Sequence, residues 1–288
     1  MSRLRVVIGQ LEVGWDPAGN SRRIISFLHA EASPGSLVVL PEAALSGYDD
    51  QLSGLASLDR RALASAVTAV AATTARQGLH VLCGSLLPEH DEWCNAALYF
   101  GPAGERWIYR KVNLATHERW RLAAGSALPV LTLPAPTLPA PTLPGLTGCP
   151  DASTAAPFRV GVQLCRELKY PEQWHVLARR GAQVLAYLTY AANPQIPGGV
   201  WRSHLVSRAA ETQRFVLAAN VAHRDQHCPS MVVTPRGEVA TEATGTGPQA
   251  LHAELDLTEV SGWLLSQQRS DVVAVSYAGQ EDEDQAPD

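Results

Sequence analysis

The feature that most restricts this chain is a succession of short apolar runs, rich in β-branched residues, at 4–8, 37–40, 80–86, 96–100, 158–164, 184–188, 215–219 and 231–233. Runs of this length read as strands. Several are apolar on both alternating faces, a pattern expected where a sheet is covered on both sides. Segments able to supply that cover alternate with them. Residues 21–32 place Ile24, Ile25 and Leu28 on one helical face, and residues 61–76 are alanine-rich with few helix breakers. Residues 171–180 open on Pro171, suited to a first helical position, and residues 203–213 set Leu205, Val206 and Ala209 between charged positions. The order is α/β, with hairpins signalled by Gly101-Pro102-Ala103-Gly104 and Pro235-Arg236-Gly237.

At residues 128–157 the pattern breaks into LPVLTLPAPTLPAPTLPG and its continuation. Repeated proline excludes a sheet interior and favours extended, polyproline-like chain. The stretch reads as a surface insertion in a single domain covering residues 1–265, either a spacer or a Pro-rich ligand for an aromatic groove. Residues 266–288 form a C-terminal segment whose acidic end, EDEDQAPD, has the composition of a disordered tail. The 288 residues suffice for one large α/β core.

A formal charge of −5 gives no general attraction to nucleic acid or to an anionic membrane. No stretch approaches the roughly 18 apolar residues of a spanning helix. The opening MSRLRVVIGQ lacks the three-part pattern of a signal peptide, so a cytoplasmic location is expected. The five cysteines are odd in number and contain no Cys-x-x-Cys pair, which suits free thiols better than a disulfide framework or a thiolate zinc site.

Three residues stand where strands end. Cys165 closes FRVGVQLC and precedes a polar turn into a helix, a strand-to-helix elbow at which a nucleophile is well placed. Glu42 follows the run LVVLP, with Pro41 halting the sheet, and is expected on the same edge as Cys165. Lys111 follows WIYR. Singly, these are a core thiol, a turn carboxylate and a surface ammonium. Together they form a device: the carboxylate takes the thiol proton and later delivers it to a leaving amine. The ammonium favours thiolate and, with the backbone N–H after the nucleophile, stabilises the oxyanion of a tetrahedral intermediate. Attack on an amide-like carbon then yields a thioester.

Leu40-Pro41-Glu42, Tyr109-Arg110-Lys111 and the VGVQLC elbow resemble the nitrilase superfamily of carbon–nitrogen hydrolases, whose catalytic set is Glu, Lys and Cys in that chain order. The resemblance continues in Ser46-Gly47-Tyr48, in Asn95 before a strand, in YPEQW at 170–174 and in SRAAETQRFVLAAN at 207–220, and it runs from Leu4 to about Asp256. It implies a four-layer α-β-β-α sandwich and a homodimer. It also implies a second glutamate shortly after the lysine, a place that Glu118 fills as a positioning group for Lys111. Tyr48, Tyr190 and Trp201 would line an acyl pocket by analogy, or serve as ordinary core.

The elbow departs from the family. Simple amidases often carry Cys-Tyr-Asp and nitrilases Cys-Trp-Glu, whereas this chain has Cys165-Arg166-Glu167. Thr116-His117-Glu118-Arg119 is similar to a nitrilase stretch, yet the short C-terminal part looks like the smaller amidases. Arg166 could pair with a substrate carboxylate, or with Glu167 or another acid structurally. His223, His227 and Cys228 lack persuasive metal-ligand spacing and read as a loop entering a strand; the chemistry calls for no cofactor and no metal. The expected activity is hydrolysis of a small non-peptide amide or N-carbamoyl compound. Its alternatives are action on a nitrile by the same residues and a non-catalytic binding protein.

Overall fold

The computed structural model describes residues 3–90, 92–134 and 157–279. The elements run β1 (Arg3–Gln10), α1 (Pro17–Glu31), β2 (Leu37–Val39), α2 (Arg60–Gln77), β3 (His80–Glu89), β4 (Glu92–Phe100), β5 (Arg106–Arg110), β6 (Val130–Leu133), β7 (Phe158–Leu164), α3 (Pro171–Arg179), β8 (Val184–Thr189), α4 (Val200–Thr212), β9 (Phe215–Asn220), β10 (Met231–Val233), β11 (Val239–Glu242) and β12 (Gln249–Asp256). The helices start and stop where local chemistry directs. Pro17 and Pro171 open α1 and α3. Asp59 caps α2 by accepting from the N–H groups of Arg61 and Ala62, and Gly78 ends it with φ +65°.

The strands form two six-stranded sheets, ordered β12-β1-β2-β3-β4-β5 and β11-β10-β9-β8-β7-β6. Strands β1, β2 and β3 are parallel in the first sheet, and β7, β8 and β9 in the second. Period-two alternation sorts each strand's side chains between layers. Leu4, Val6 and Ile8 of β1 and Leu37 and Val39 of β2 join the core between the sheets. Val7 and Val38 face the other way, into a core shared with Ile24 and Leu28 of α1 and Leu63, Ala66 and Val70 of α2. On the second sheet, Gly161 of β7 lies so close to Leu177 of α3 that a Cβ there would meet the leucine Cβ at 3.0 Å, tighter than ordinary contact. The layers are therefore α-β-β-α, as the family resemblance implied.

The sequence reading differs in several places. Asn95 lies inside β4, since antiparallel pairing with β3 extends that strand back to Glu92. The stretch expected to be an insertion from residue 128 begins as an edge strand: Val130–Leu133 pairs with β7, its flanking prolines standing outside the ladder. Residues 135–156 and the acidic tail at 280–288 lie outside the described residues. β11 and β12 were not anticipated, and β12 pairs along the whole of β1. Among the described residues no helix is long and apolar enough to cross a membrane.

Candidate active site

Glu42, Lys111 and Cys165 follow the carboxyl ends of β2, β5 and β7. Glu42 and Cys165 do not share one sheet edge. They end strands of different sheets, and the sandwich brings those ends together. Two local devices set their approach. Gly84 of β3 lies so close to the Glu42 turn that a Cβ would meet Ala43 N at 2.3 Å and Glu42 Cα at 2.5 Å, so only glycine admits the turn against the strand. Cys165 itself adopts φ +44°, a conformation costly for a residue with a side chain, as it opens the turn Cys165–Lys169.

Lys111, Glu42 and Glu118 are all fully buried. Lys111 Nζ donates to Glu42 Oε1 at 2.8 Å and lies 2.9 Å from Glu118 Oε2. Asn95 Nδ2 ties the same two carboxylates, donating to Glu42 Oε1 at 2.8 Å and to Glu118 Oε1 at 2.7 Å. Tyr48 adds a 2.8 Å hydroxyl bond to Glu118 Oε1, and the Tyr190 N–H donates to Glu42 Oε2 at 2.9 Å. Burial works against the Lys111 ammonium, but Glu42 and Glu118 outweigh it and hold the group charged well above its ordinary range. Burial likewise opposes the Glu118 carboxylate, yet Lys111, the Ala115 N–H and Asn95 keep it below the usual range. Glu118 is thus a fixed negative charge rather than a proton carrier.

The Cys165 thiol is pushed up by burial and by Glu42 and Glu118, against the pull of Lys111 and of the neighbouring Thr189 hydroxyl. Its resting form is the thiol, so proton removal has to accompany attack. Beside it, Glu167 takes no part with Arg166. Glu167 Oε1 accepts from Tyr109 OH at 2.7 Å and from the N–H groups of Val112 and Asn113 at 2.8 and 3.1 Å, and Oε2 accepts from Leu164 N–H at 2.7 Å. Burial pushes this carboxyl up to about 7 against the pull of those donors. One side chain therefore pins the residues just after Lys111 to the residue just before Cys165. Of the pairings open to Arg166, the one with Glu167 is not made, because Glu167 has its acceptor positions directed elsewhere.

Of the aromatic candidates, Tyr48 is a structural partner of Glu118 and of His117 Nε2, at 2.7 Å. The Tyr190 ring packs between Tyr48 and His223, at centroid distances of 5.4 and 6.4 Å. Trp201 is buried against Tyr187 and, edge-on at 5.0 Å, against His227. Tyr187 OH donates to the Cys165 carbonyl at 2.8 Å. Cys83, Cys94, Cys165 and Cys228 are free thiols, and Cys149 lies outside the described residues. Among the described residues no group of three or more His, Cys, Asp or Glu side chains is arranged to hold a metal ion.

Sequence reasoning missed Asn95 as the bridge between the acids, Glu167 as the brace of the elbow, and Thr189 as a polar neighbour of the thiol. Glu167 alone had a usable signal, its place two residues after the nucleophile.

The sequence model of the carbon-nitrogen hydrolase family matches residues 5–264. The chain is 26% identical to omega-amidase NIT2 of Danio rerio, over 96% of this chain and 98% of that protein. It is 27% identical to 2-oxoglutaramate amidase of Bacillus subtilis, over 84% and 86% of the two chains. Among solved structures, Nit3 of Saccharomyces cerevisiae, a member of branch 10 of the nitrilase superfamily, superposes with TM-score 0.70 at 22% identity, covering 93% of this chain and 96% of that one. A nitrilase-superfamily amidase from Nesterenkonia AN1 superposes with TM-score 0.73 at 19% identity, covering 93% and 95%.

Proposed function

Because the chain belongs to the carbon–nitrogen hydrolase family, we propose that it hydrolyses the C–N bond of a small non-peptide amide or N-carbamoyl compound through a Cys165 thioester. The observation that carries this reading is the buried Lys111 held between Glu42 and Glu118 and pulling on the Cys165 thiol. The relatives named as amidases support the amide over the nitrile.

In the first half-reaction Glu42 takes the thiol proton as sulfur bonds to the carbonyl carbon, and the carbonyl π pair moves onto oxygen. Lys111 and the Arg166 N–H, at the head of a turn where backbone donors lack intrahelical partners, stabilise that oxyanion. Collapse breaks the C–N bond, and Glu42 delivers its proton to the departing nitrogen. In the second half water attacks the thioester, Glu42 receives a water proton, the C–S bond breaks and the proton returns to sulfur. Glu118 stays ionised throughout and holds Lys111 in place.

Replacing Cys165 with alanine is expected to lower ammonia release from aliphatic amides by at least about 10⁴-fold. Release at the wild-type rate from that variant, or ammonia from nitriles but not from the matching amides, would sink the proposal. The reading includes a cytoplasmic homodimer. Light scattering that returned the 30.9 kDa mass of one chain would remove the dimer.

A further inference from the structure

The carboxyl end of β8 touches both reacting groups of the site, and one of its side chains has no part in the mechanism so far. Parallel pairing of β7 with β8 sets Leu164 opposite Leu188, so the next residues along, Cys165 and Thr189, stand side by side at the end of the sheet. The residue after Thr189 donates its N–H to Glu42 Oε2 at 2.9 Å. Thr189 itself is fully buried, and among the described residues its Oγ1 has no hydrogen-bond partner. Its hydroxyl neighbours the Cys165 sulfur and favours the ionised form of the thiol.

The other polar groups around this hydroxyl are committed elsewhere. Asn220, the register partner of Thr189 on β9, accepts at Oδ1 from the N–H groups of Ala191 and Val221, both at 2.8 Å, and donates from Nδ2 to the carbonyls of Ala191 and Cys228 at 3.2 and 2.6 Å. Tyr187 OH, also beside Thr189, spends its hydrogen on the Cys165 carbonyl at 2.8 Å. A buried hydroxyl without a partner is costly, and valine, equal in shape and suited to a strand that reads VLAYL, would avoid the cost. What threonine adds is one rotatable O–H donor. A neutral thiol accepts such a donor weakly, and a charged sulfur accepts it well.

We propose that Thr189 is a further catalytic residue, its hydroxyl donating to Cys165 Sγ whenever the sulfur carries negative charge. This deepens the amidase reading and rests on it. As Glu42 takes the thiol proton and the S–C bond forms, the Thr189 O–H turns to the sulfur. When water has attacked the thioester and the C–S bond breaks, the electron pair returns to sulfur, and the same hydrogen bond forms until Glu42 hands back the proton. No proton leaves Thr189. The ionisable groups facing the thiol are Glu42, Glu118, Lys111, Tyr48 and Tyr187, and of these only Lys111 favours a thiolate. Thr189 is the donor that supports it.

Thr189→Val keeps the shape and removes the donor. It is expected to lower kcat for an aliphatic amide by about tenfold with little change in KM, the effect of one hydrogen bond to a charged atom. Alkylation of Cys165 by iodoacetamide at neutral pH, followed by peptide mapping, should slow by about threefold, a tenfold smaller thiolate fraction being partly offset by the greater nucleophilicity of a more basic sulfur. Thr189→Ser should restore both, and the valine variant should unfold in urea no earlier than the wild type. Wild-type kcat in Thr189→Val overturns the proposal, as does a fall in kcat with alkylation unchanged, or a lowered urea midpoint that serine does not recover. The alkylation arm needs no turnover and so separates the two readings. If the wild type hydrolyses no amide while the valine variant still alkylates more slowly, the amidase reading fails and the Thr189 contact stands. If both proteins hydrolyse amides and alkylate alike, Thr189 fails and the amidase reading stands.

Discussion

The first sheet and the loops at its end deliver Glu42, Asn95, Lys111 and Glu118 to the site as charges and amides bonded to one another, with Asn95 Oδ1 the one buried polar atom among them lacking a partner. The second sheet delivers Cys165, Arg166 and Thr189, and the loop beyond β9 adds His227; on this side Arg166 Nε, Thr189 Oγ1 and His227 Nε2 are all buried and unsatisfied. The difference separates two tasks. A network whose members satisfy one another holds its geometry before any ligand arrives, which is what electrostatic stabilisation of a transition state requires. Side chains on the second side lack that mutual satisfaction, so their positions are set by packing rather than by one another.

The comparison breaks most visibly at Lys111. Lys111→Met leaves the buried carboxylates of Glu42 and Glu118 facing each other without their shared cation. The expected loss is about 3–5 kcal/mol in urea unfolding, together with at least about 10³-fold in kcat. A variant with near wild-type stability would show that the first sheet's network is not held by charge. Glu118→Gln tests the positioning role more gently. It turns an NH₂ group toward donors from Tyr48, Asn95, Lys111 and Ala115, and is expected to lower kcat by about 10–100-fold with little change in KM. A rise in KM at constant kcat would assign Glu118 to substrate binding instead.

The smallest effect is a pH slope at Glu167, the brace between the sheets. Its carboxyl sits at about 7 in the folded chain against an ordinary 4.5, so the folded state holds the proton more tightly than the unfolded one. The resulting stabilisation is full below about pH 4.5 and is lost as pH rises through about 7, an effect on the order of 1–3 kcal/mol. Urea midpoints at pH 5 and pH 8 for the wild type and Glu167→Gln measure it. The wild type should fall relative to the variant at the higher pH, and parallel midpoints would assign Glu167 an unshifted carboxylate.

The chemistry-bearing residues were legible because each stands directly after a strand whose apolar run the sequence displays. Cys165 follows VGVQL, Glu42 follows LVVLP and Lys111 follows WIYR. The supporting contacts were not legible, since they join residues far apart in the chain. Tyr48 reaches Glu118, Asn95 reaches Glu42, and Glu167 reaches Tyr109 and Val112. No local period encodes such pairings. Strand β12 escaped notice for a different reason. As the edge of its sheet it reads QALHAELD, polar and partly exposed, without the two-faced apolar signature of the central strands. The Pro-rich stretch misled at its start because proline beside a short edge strand leaves its ladder intact.

The register of β12 on β1, from Arg3 opposite Asp256 to Gln10 opposite Gln249, also sets an order of events. Synthesis passes through every other strand between β1 and its antiparallel neighbour β12, so β1 leaves the ribosome long before its partner. Until then β1 carries an open edge toward solvent, and the sheet that holds Glu42 and Lys111 stays incomplete. Closure of so distant a pair slows folding. Chains stopped before residue 249 should therefore accumulate as adhesive, edge-exposed species with no partial activity, and the finished site is gained in one late step.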